Sequence, residues 1–511
     1  MFEKSVSSIL RGAGWAGVLR RNAAIRPERP ALLDAAGAMS HADFLRRALG
    51  AAATLREMGL SPGARISVIS ENRREIHLLL GACALGGWAL APVNWRLGPE
   101  ETTDILRGCA PELLLHGAPL PEGVGLPPSL KAVRAFEGPE AFPFEMIAPE
   151  SAAALALEPS GPDDPLCLIH TAAVEGKPRG ATLSGANLVA AGAQLAHAAA
   201  LGETDVFLGA LPNFHIVGVG FAAAVQLVGG ATLVQPRFEA KAAAAGIAEH
   251  KVTLAGSFPP ILEQILDAAD ETGADLSSLR AVVGLEGPPM IERLHRSWPG
   301  AKFLLGFGQT ETSGYVTYGR GDLFAGTAGV PGILTELALA DETGAPLAAT
   351  TPETVGEILV RGPVAMLGYW DQEEVNRETF RHGWLHTGDL GRIDARGRLV
   401  YAGRAPTKLL IKTGGENVYP AEVEKALLAH PDLAEAVVVG LPDARWGEAV
   451  AALCARKPGA EVSAADLGAF LAGRIARFKQ PRHVVFVEAL PRGADGKPDR
   501  AAALKLVGEA L

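Results

Sequence analysis

The chain has few cysteines, and none of them form a CxxC pair, which argues against a disulfide framework. Its 511 residues include only four, and these lie far apart in apolar segments: Cys83, Cys109, Cys167 and Cys454. Disulfide-stapled domains carry cysteines at short, repeated spacings. We therefore expect four reduced, buried thiols in a cytoplasmic protein.

The sequence also lacks an uninterrupted membrane-spanning run. Residues 216–234 are nearly free of polar side chains, but four glycines interrupt them, and residues 229–236 (GGATLVQP) have the pattern of a turn and a strand. We predict a buried helix and strand here rather than a transmembrane helix. Because arginines break the N-terminal apolar segments early, we expect no signal peptide and no stable membrane insertion.

Positive charge is in deficit. The chain has 47 Lys and Arg against 57 Asp and Glu, which gives a net charge of −10. This balance argues against a nucleic acid as the main partner, although a nucleotide needs only a local positive site. The length indicates more than one domain and a large buried core.

Strands and helices alternate along most of the chain. Residues 64–97 read as strand, helix, Gly-Gly turn and strand, and residues 237–310 repeat the alternation. Such alternation predicts crossover units on a parallel sheet. Residues 326–370 are rich in strand and turn signals and suit a small barrel-like subdomain. The residues after 409 suit a compact α+β unit, with helices predicted over residues 420–430 and 463–478.

The segment 384–420 contains the most informative pattern. Its first part predicts a turn carrying Asp389 and a hairpin around Arg396-Gly397. Its second part predicts a short strand, a turn at Gly414-Gly415 and a helix opened by Pro420. The polar stretch between them suits a hinge between two bodies.

This segment resembles the signature of the adenylate-forming superfamily, which includes acyl-CoA synthetases, non-ribosomal peptide adenylation domains and luciferases. The matching residues are Thr387, Gly388, Asp389, Gly403, Arg404, Ile411, Lys412, Gly414, Gly415, Glu416, Asn417, Pro420, Glu422, Val423 and Glu424. The resemblance implies an N-terminal adenylate-forming domain (1–403), a hinge (404–409) and a C-terminal lid domain (410–511). The predicted fold class is α/β: a large N-terminal domain of parallel-rich α/β subdomains with a small β-barrel-like subdomain, then a small mobile α+β domain.

A second match lies after the predicted strand 165–171. A strand that feeds a glycine-containing loop with a cation can cradle phosphates through backbone N–H groups. The family's loop is TSGTTG-x-PKG, and Thr171, Gly176, Pro178 and Gly180 match it, with Arg179 in place of lysine. Residues 172–175 lack the family's hydroxyls and add a carboxylate at Glu175, so an ordinary strand-to-helix turn is the alternative. We expect Ser184 to cap the helix that follows.

The remaining roles are implied by the resemblance alone. Glu311 would hold Mg²⁺ on the ATP phosphates, Thr310 would touch the α-phosphate, and His215 would lie beside the acyl and adenylate site. Asp389 would accept the ribose hydroxyls, Arg404 would reach ribose or phosphate, and Lys497 would be the mobile catalytic lysine. The residues expected to flank adenine are Gly284, Leu285, Glu286, Gly306, Phe307, Gly308 and Gln309. Gly414 and Gly415 would face the pantetheine tunnel, and Trp446 would stack on the adenine of CoA or pack on its own domain.

These matches predict an AMP-forming acyl-CoA synthetase that uses ATP, Mg²⁺ and CoA on a small-molecule carboxylic acid. Phe214 is followed by His215 rather than by an aspartate, which disfavours an amino acid. The apolar run 216–225 suits a fatty or alicyclic acid, with an aryl acid as the alternative. Other classes stay open: transfer of the acyl group to a carrier protein, a luciferase-like oxygenase, or a nucleotide-binding protein without activity because of the altered loop. A homodimer is a further expectation.

Overall fold

The computed structural model describes residues 14–511 except 118, 140, 172–177, 325, 405–409, 415, 444 and 494–497. Gly176, Gly415, Lys497 and all of the predicted hinge except Arg404 therefore lie outside the described residues. Arg404 itself ends a strand, and the next described strand begins at Ile411.

The helices are named in chain order. They are α1 (Trp15–Ile25), α2 (His41–Glu57), α3 (Arg74–Gly86), α4 (Pro99–Cys109), α5 (Ala152–Leu155), α6 (Gly185–Ala199), α7 (Ile216–Val228), α8 (Ala240–His250), α9 (Ile261–Thr272), α10 (Pro288–Ser297), α11 (Glu373–Thr379), α12 (Pro420–Leu428), α13 (Ala464–Leu471) and α14 (Arg500–Glu509). Short 3-10 turns occupy Thr310–Thr312, Arg381–Gly383 and Arg477–Lys479.

The strands are named in the same way. They are β1 (Pro30–Asp34), β2 (Gly37–Ser40), β3 (Arg65–Ile69), β4 (Ala89–Val93), β5 (Leu113–His116), β6 (Ala132–Ala135), β7 (Pro165–Thr171), β8 (Arg179–Ser184), β9 (Val206–Gly209), β10 (Ala231–Val234), β11 (Leu254–Ser257), β12 (Ala281–Gly284), β13 (Lys302–Leu305), β14 (Gly308–Gln309), β15 (Gly314–Tyr315), β16 (Thr317–Arg320), β17 (Val330–Pro331), β18 (Glu336–Leu339), β19 (Gly356–Arg361), β20 (Gly368–Tyr369), β21 (Leu385–Ile393), β22 (Leu399–Arg404), β23 (Ile411–Thr413), β24 (Glu416–Val418), β25 (Leu433–Asp443), β26 (Gly447–Arg456) and β27 (His483–Val487).

Two large sheets contain the strands of the first 335 residues, except β14 and β15, together with β20. One has the order β20-β8-β7-β4-β3-β5-β6, and the other has the order β17-β16-β13-β12-β11-β9-β10-β1-β2. Strands β3 to β7 and β9 to β13 pair in parallel where they meet, as the alternation predicts. Helix α3 is the crossover between β3 and β4, and it ends at Gly87, whose φ of 78° is easily adopted only by glycine.

The apolar segment 216–234 forms helix α7 and strand β10, as predicted. Within the described residues, no helix is both long and apolar enough to cross a bilayer. The helix begins directly after His215, so this side chain stands at the edge of the second sheet. The core on this side includes Phe207, Phe221 and Val225.

The predicted phosphate loop differs from expectation. Strand β7 pairs antiparallel with β8, with Thr171 opposite Arg179 and His170 opposite Gly180. Arg179 and Gly180 therefore lie on a strand of a hairpin, not in a strand-to-helix loop. Helix α6 follows that second strand, and Ser184 caps it by accepting a hydrogen bond from the backbone N–H of Asn187 at 3.1 Å, as predicted.

Asp389 also differs from expectation, because it lies within β21 and not at a turn. It pairs with Arg404 on β22, and a register shift follows between Leu390 and Gly391. Gly388 has φ of 71°, which bends the strand just before Asp389. Strands β18, β19, β21 and β22 form a four-stranded antiparallel sheet. Its first two strands lie within the predicted barrel-like subdomain (326–370), and its last two lie beyond residue 370.

The C-terminal part is an α+β unit built on β23 to β27. Its predicted helix over residues 463–478 is shorter than expected and ends at Leu471, because Gly473 takes φ of 80° and the chain leaves the helix. A 3-10 turn then carries Lys479 toward the N-terminal part. This unit has its own apolar core around Val438, Leu453 and Leu467.

Candidate active site

A cavity of about 1270 Å³ lies where the second sheet, the β21–β22 hairpin and the C-terminal part meet. It is lined by residues that follow β9, β11, β12 and β13, since parallel strands direct their carboxyl ends to one edge of a sheet. The predicted site residues that line it are Thr171, Arg179, His215, Leu285, Glu286, Gly306, Phe307, Gly308, Gln309, Thr310, Glu311, Asp389, Arg404, Gly414 and Trp446.

Two predicted site residues, Gly180 and Gly284, are described by the structure but do not line the cavity. Gly284 ends β12, where a Cβ atom would lie 1.6 Å from the carbonyl oxygen of Ser257. Gly180 lies on β8 against the ring of His170. Their lack of a side chain is explained by close packing, and the structure gives neither a position at the cavity wall.

Glu311 occupies the 3-10 turn after β14 and is only 9% exposed. The phenol Oη of Tyr369 donates a hydrogen bond to its Oε1 at 2.7 Å. Burial, followed by the charge of Glu311, raises the pKa of Tyr369, so the phenol stays a donor. The guanidinium of Arg179 lies 5.6 Å from the centroid of the same ring, so a cation faces this corner.

This corner suits a magnesium ion that is shared with phosphates. Within the described residues, no three His, Cys, Asp or Glu side chains converge as an all-protein metal site. Mg²⁺ commonly takes one or two carboxylates together with substrate phosphates and water. Glu311 offers such a carboxylate, and the hydrogen bond from the Tyr369 phenol is made to its Oε1.

Asp389 is 2% exposed and faces two donors. The phenol of Tyr401 donates to its Oδ1 at 3.0 Å, and Nε of Arg404 lies 3.2 Å from the same oxygen. Behind it, the carboxylate of Glu357 accepts a hydrogen bond from the backbone N–H of Gly388 at 2.7 Å. This hydrogen bond stabilises the bend in the strand just before Asp389.

Glu286 also lines the cavity. The hydroxyl of Ser257 donates to its carboxylate at 2.7 Å. Burial raises the pKa of Glu286 to about 7, against the lowering effect of that hydrogen bond. This carboxyl group therefore changes charge near neutral pH.

The C-terminal part contributes a further carboxylate. Glu416, on β24, is 7% exposed, forms an ion pair with Arg96, and has Oε2 3.2 Å from Nε2 of His215. Burial raises the pKa of Glu416, but the positive charges of His215 and Arg96 outweigh it and hold the pKa below its usual value. Glu416 therefore joins the two parts of the chain beside the cavity.

Trp446 is held against the turn at Gly414. The backbone N–H of Gly414 donates to the carbonyl oxygen of Trp446 at 2.9 Å, and a Cβ atom at Gly414 would lie 2.7 Å from the indole ring. Arg445 and Arg482 lie 4.8 Å and 4.7 Å from the ring centroid. The two arginines place positive charge at this mouth of the cavity.

Sequence reasoning assigned no role to several residues that the structure places here. Tyr369, Tyr401, Glu416 and Arg96 each contact a predicted site residue. One signal could have found the phenols: the chain has five tyrosines, and four of them line the cavity. Such scarcity elsewhere makes each tyrosine a candidate for a specific hydrogen bond.

The fold and the cavity define a two-part α/β protein with a cavity between the strand ends and a smaller C-terminal unit. Comparison with protein families matches residues 19–370 to the AMP-binding enzyme family and residues 422–497 to the AMP-binding enzyme C-terminal domain. The chain belongs to the AMP-binding enzyme family. The predicted family and the α/β fold class are therefore confirmed.

Several relatives that match over nearly their whole length are named as CoA ligases, and one of Streptomyces coeruleorubidus is named as a fatty acid–[acyl-carrier-protein] ligase. The chain is 33% identical to indoleacetate–CoA ligase of Aromatoleum aromaticum, over 93% of this chain and 95% of that protein. It is 30% identical to a long-chain-fatty-acid–CoA ligase of Mycobacterium tuberculosis, over 96% and 97%. Among solved structures, it matches o-succinylbenzoate CoA synthetase of Bacillus subtilis, in complex with ATP and magnesium ion, with 28% identity and a TM-score of 0.68 over 94% and 98%. The predicted class of AMP-forming acid–thiol ligases agrees with these relatives, whose acids differ.

Proposed function

We propose that the protein is an AMP-forming acid–CoA ligase that converts a carboxylic acid, ATP and CoA into acyl-CoA, AMP and pyrophosphate. The observation that carries the proposal is the meeting of Glu311, Asp389 and Glu416 in one cavity, the last from the C-terminal part. ATP, Mg²⁺ and CoA would all be required. The relatives' names and the ATP- and magnesium-bound neighbour support this assignment.

The first half-reaction joins two anions. A carboxylate attacks the α-phosphorus of ATP, pyrophosphate leaves, and a mixed anhydride, the acyl-adenylate, forms. Mg²⁺ would be held by Glu311 and would neutralise charge on the phosphates. Asp389 would accept the ribose hydroxyls, and the cationic side chain of Arg179 would face the phosphates. Lys497 stays a sequence prediction for the cation that approaches the reacting carboxylate.

The second half-reaction brings the thiol of CoA to the same carbonyl. The present arrangement of the C-terminal part brings Gly414 and Glu416 to the cavity, which favours it as the arrangement that accepts the thiol. In it, Gly414 and Trp446 form one mouth of the cavity, beside Arg445. CoA would thread past this turn toward the acyl-adenylate, and the lid rotation that precedes it is a rigid-body hinge motion.

The acyl end of the cavity favours an apolar acid. Ile216, Val217, Phe258 and Tyr315 line it, and His215 stands where an ammonium-binding aspartate would be needed for an amino acid. We propose a fatty or alicyclic acid as the substrate. An aryl acid is the second candidate, because Phe258 and Tyr315 offer aromatic faces and one relative is named for indoleacetate.

The decisive experiment is a panel of acids incubated with ATP, Mg²⁺ and CoA, with AMP release as the readout. Acid- and CoA-dependent AMP release with a fatty or alicyclic acid supports the proposal, and preference for a benzoate or cinnamate supports the aryl alternative. AMP release that requires a carrier protein in place of CoA would instead support transfer of the acyl group to that carrier protein. No pyrophosphate exchange with any acid, despite ATP binding, assigns a nucleotide-binding protein without activity. The homodimer stays a prediction for sedimentation to test.

A further inference from the structure

A buried ion cluster joins the two parts of the chain away from the cavity. Lys479, in the 3-10 turn Arg477–Lys479, forms an ion pair with Glu101 of helix α4, and its Nζ lies 2.5 Å from Oε1 of Glu422 on helix α12. The three side chains are 5%, 8% and 12% exposed. We refer to Glu101, Lys479 and Glu422 as the buried triad.

The triad contains two carboxylates for one ammonium group. Burial lowers the pKa of Lys479, but the two carboxylates outweigh burial and raise it overall, so Lys479 stays charged. Burial raises the pKa of Glu422 despite Lys479. Because an unpaired charge in such a site is strongly unfavourable, the triad depends on both parts of the chain being in this arrangement.

Glu101 contacts the C-terminal part in a second way. Its Oε2 accepts the backbone N–H of Ala476 at 2.8 Å and that of its own Gly98 at 3.0 Å. At Gly98 the two backbones come close, since a Cβ atom there would lie 3.3 Å and 3.4 Å from the carbonyl oxygens of Gly473 and Arg474. The N-terminus of helix α4 therefore contacts segment 473–479 through an ion pair, a hydrogen bond and close packing of the two backbones.

Rotation of the C-terminal part would carry two members of the triad with it and leave Glu101 behind. Lys479 and Glu422 belong to the same C-terminal unit, so their ion pair travels with it. Glu101 belongs to the N-terminal part, so its contacts with Lys479 and Ala476 exist only in the present arrangement. The same arrangement brings Glu416 to His215 beside the cavity.

We propose that Glu101 is a positioning residue for thioester formation, which holds the C-terminal part in the arrangement that accepts the thiol. This inference rests on the proposed function and adds to it a residue that does not line the cavity. Glu101 acts through the placement of Glu416 and the Gly414 turn. Loss of the contact would leave adenylation available and would slow the second step.

The test is Glu101→Gln, compared with Glu422→Gln as the matched control. The amide of Glu101→Gln can still accept the N–H of Ala476, so folding is preserved, but the charge facing Lys479 is lost. We expect thioester formation from preformed acyl-adenylate to slow at least about tenfold, since a hydrogen bond to a charged group contributes that much or more. Pyrophosphate exchange is expected to stay unchanged. Glu422→Gln keeps the bond between the two parts and is expected to show no such difference between the half-reactions.

A second variant reaches the same interface without changing charge. Gly98 has φ of −71°, which valine adopts freely, yet Gly98→Val would push side-chain atoms against the carbonyl oxygens of Gly473 and Arg474. The same selective loss of the second half-reaction is expected. Equal losses in both half-reactions, or unimpaired thioester formation in both variants, would overturn the proposal. If the native chain itself forms no acyl-adenylate with any acid, the proposed function fails instead, and the two failures are distinguishable.

Discussion

Replacing Tyr369 by phenylalanine tests the metal corner of the cavity. The phenol donates to Oε1 of Glu311 at 2.7 Å, and the two side chains are 6% and 9% exposed. A hydrogen bond to a charged group contributes about 1.5–3 kcal/mol, which corresponds to roughly a 10- to 150-fold change in an equilibrium or a rate.

The assay is ATP–pyrophosphate exchange measured across free Mg²⁺ concentrations. We expect Tyr369→Phe to shift half-saturation to higher Mg²⁺ and to lower the rate at limiting Mg²⁺ within that range, because Glu311 loses the group that orients it. Tyr318→Phe is the control, since its phenol donates only to the carbonyl oxygen of Tyr315, at 3.2 Å. If Tyr369→Phe lowers the melting temperature but leaves the Mg²⁺ dependence unchanged, Tyr369 supports only the fold and the reasoning is refuted.

Three further predictions concern Asp389, Lys497 and Glu286. Asp389→Asn should lower kcat/KM for ATP by roughly 10- to 150-fold while the KM for the acid changes little, since one charged acceptor is removed; parallel losses for both substrates would contradict a ribose contact. Lys497→Ala should abolish adenylation but spare thioester formation from supplied acyl-adenylate, and loss of both would remove its assigned role. The pKa of Glu286, raised by burial from about 4.5 to about 7, means that the folded state loses stability as pH rises through that interval. Glu286→Gln should therefore raise the melting temperature more at pH 8 than at pH 5, and an equal shift at both would show that ionisation of Glu286 carries no cost.

Local signals predicted the elements that local chemistry determines. Ser184 caps helix α6 because its hydroxyl reaches a backbone N–H three residues away. The glycines after Val228 separate helix α7 from β10, as the pattern of residues 229–236 indicates. In both cases the deciding contacts lie within a few residues, so the sequence is enough to predict them.

One error concerns a boundary. Asp389 is expected at a turn, but the hairpin predicted around Arg396-Gly397 extends far enough to include it, so it pairs with Arg404 within β21. The other errors come from contacts between residues far apart in the chain. The helix expected over residues 463–478 ends at Leu471, and the chain beyond it docks on Glu101, 375 residues earlier than Ala476. Likewise, Tyr369 reaches Glu311 across 58 positions. No local pattern encodes contacts that the fold alone creates.

The way in which the apolar cores are divided bears on how the protein would work. Within the described residues, each apolar core cluster belongs either to the chain up to Leu399 or to the chain from Ile411 onward, and none contains residues from both. The contacts that join the two parts are instead polar, above all Arg96 with Glu416 and Lys479 with Glu101. A shared apolar core would have to be opened to water at every rotation, whereas ion pairs can exchange their partners for water or for other charges. The predicted hinge at 404–409 falls between the core clusters of the N-terminal part and those of the C-terminal part. A rigid-body rotation there would break a few ionic contacts and leave the clusters of both parts intact. This separation gives a physical reason why one cavity can serve an adenylation step and a thiol-transfer step in turn.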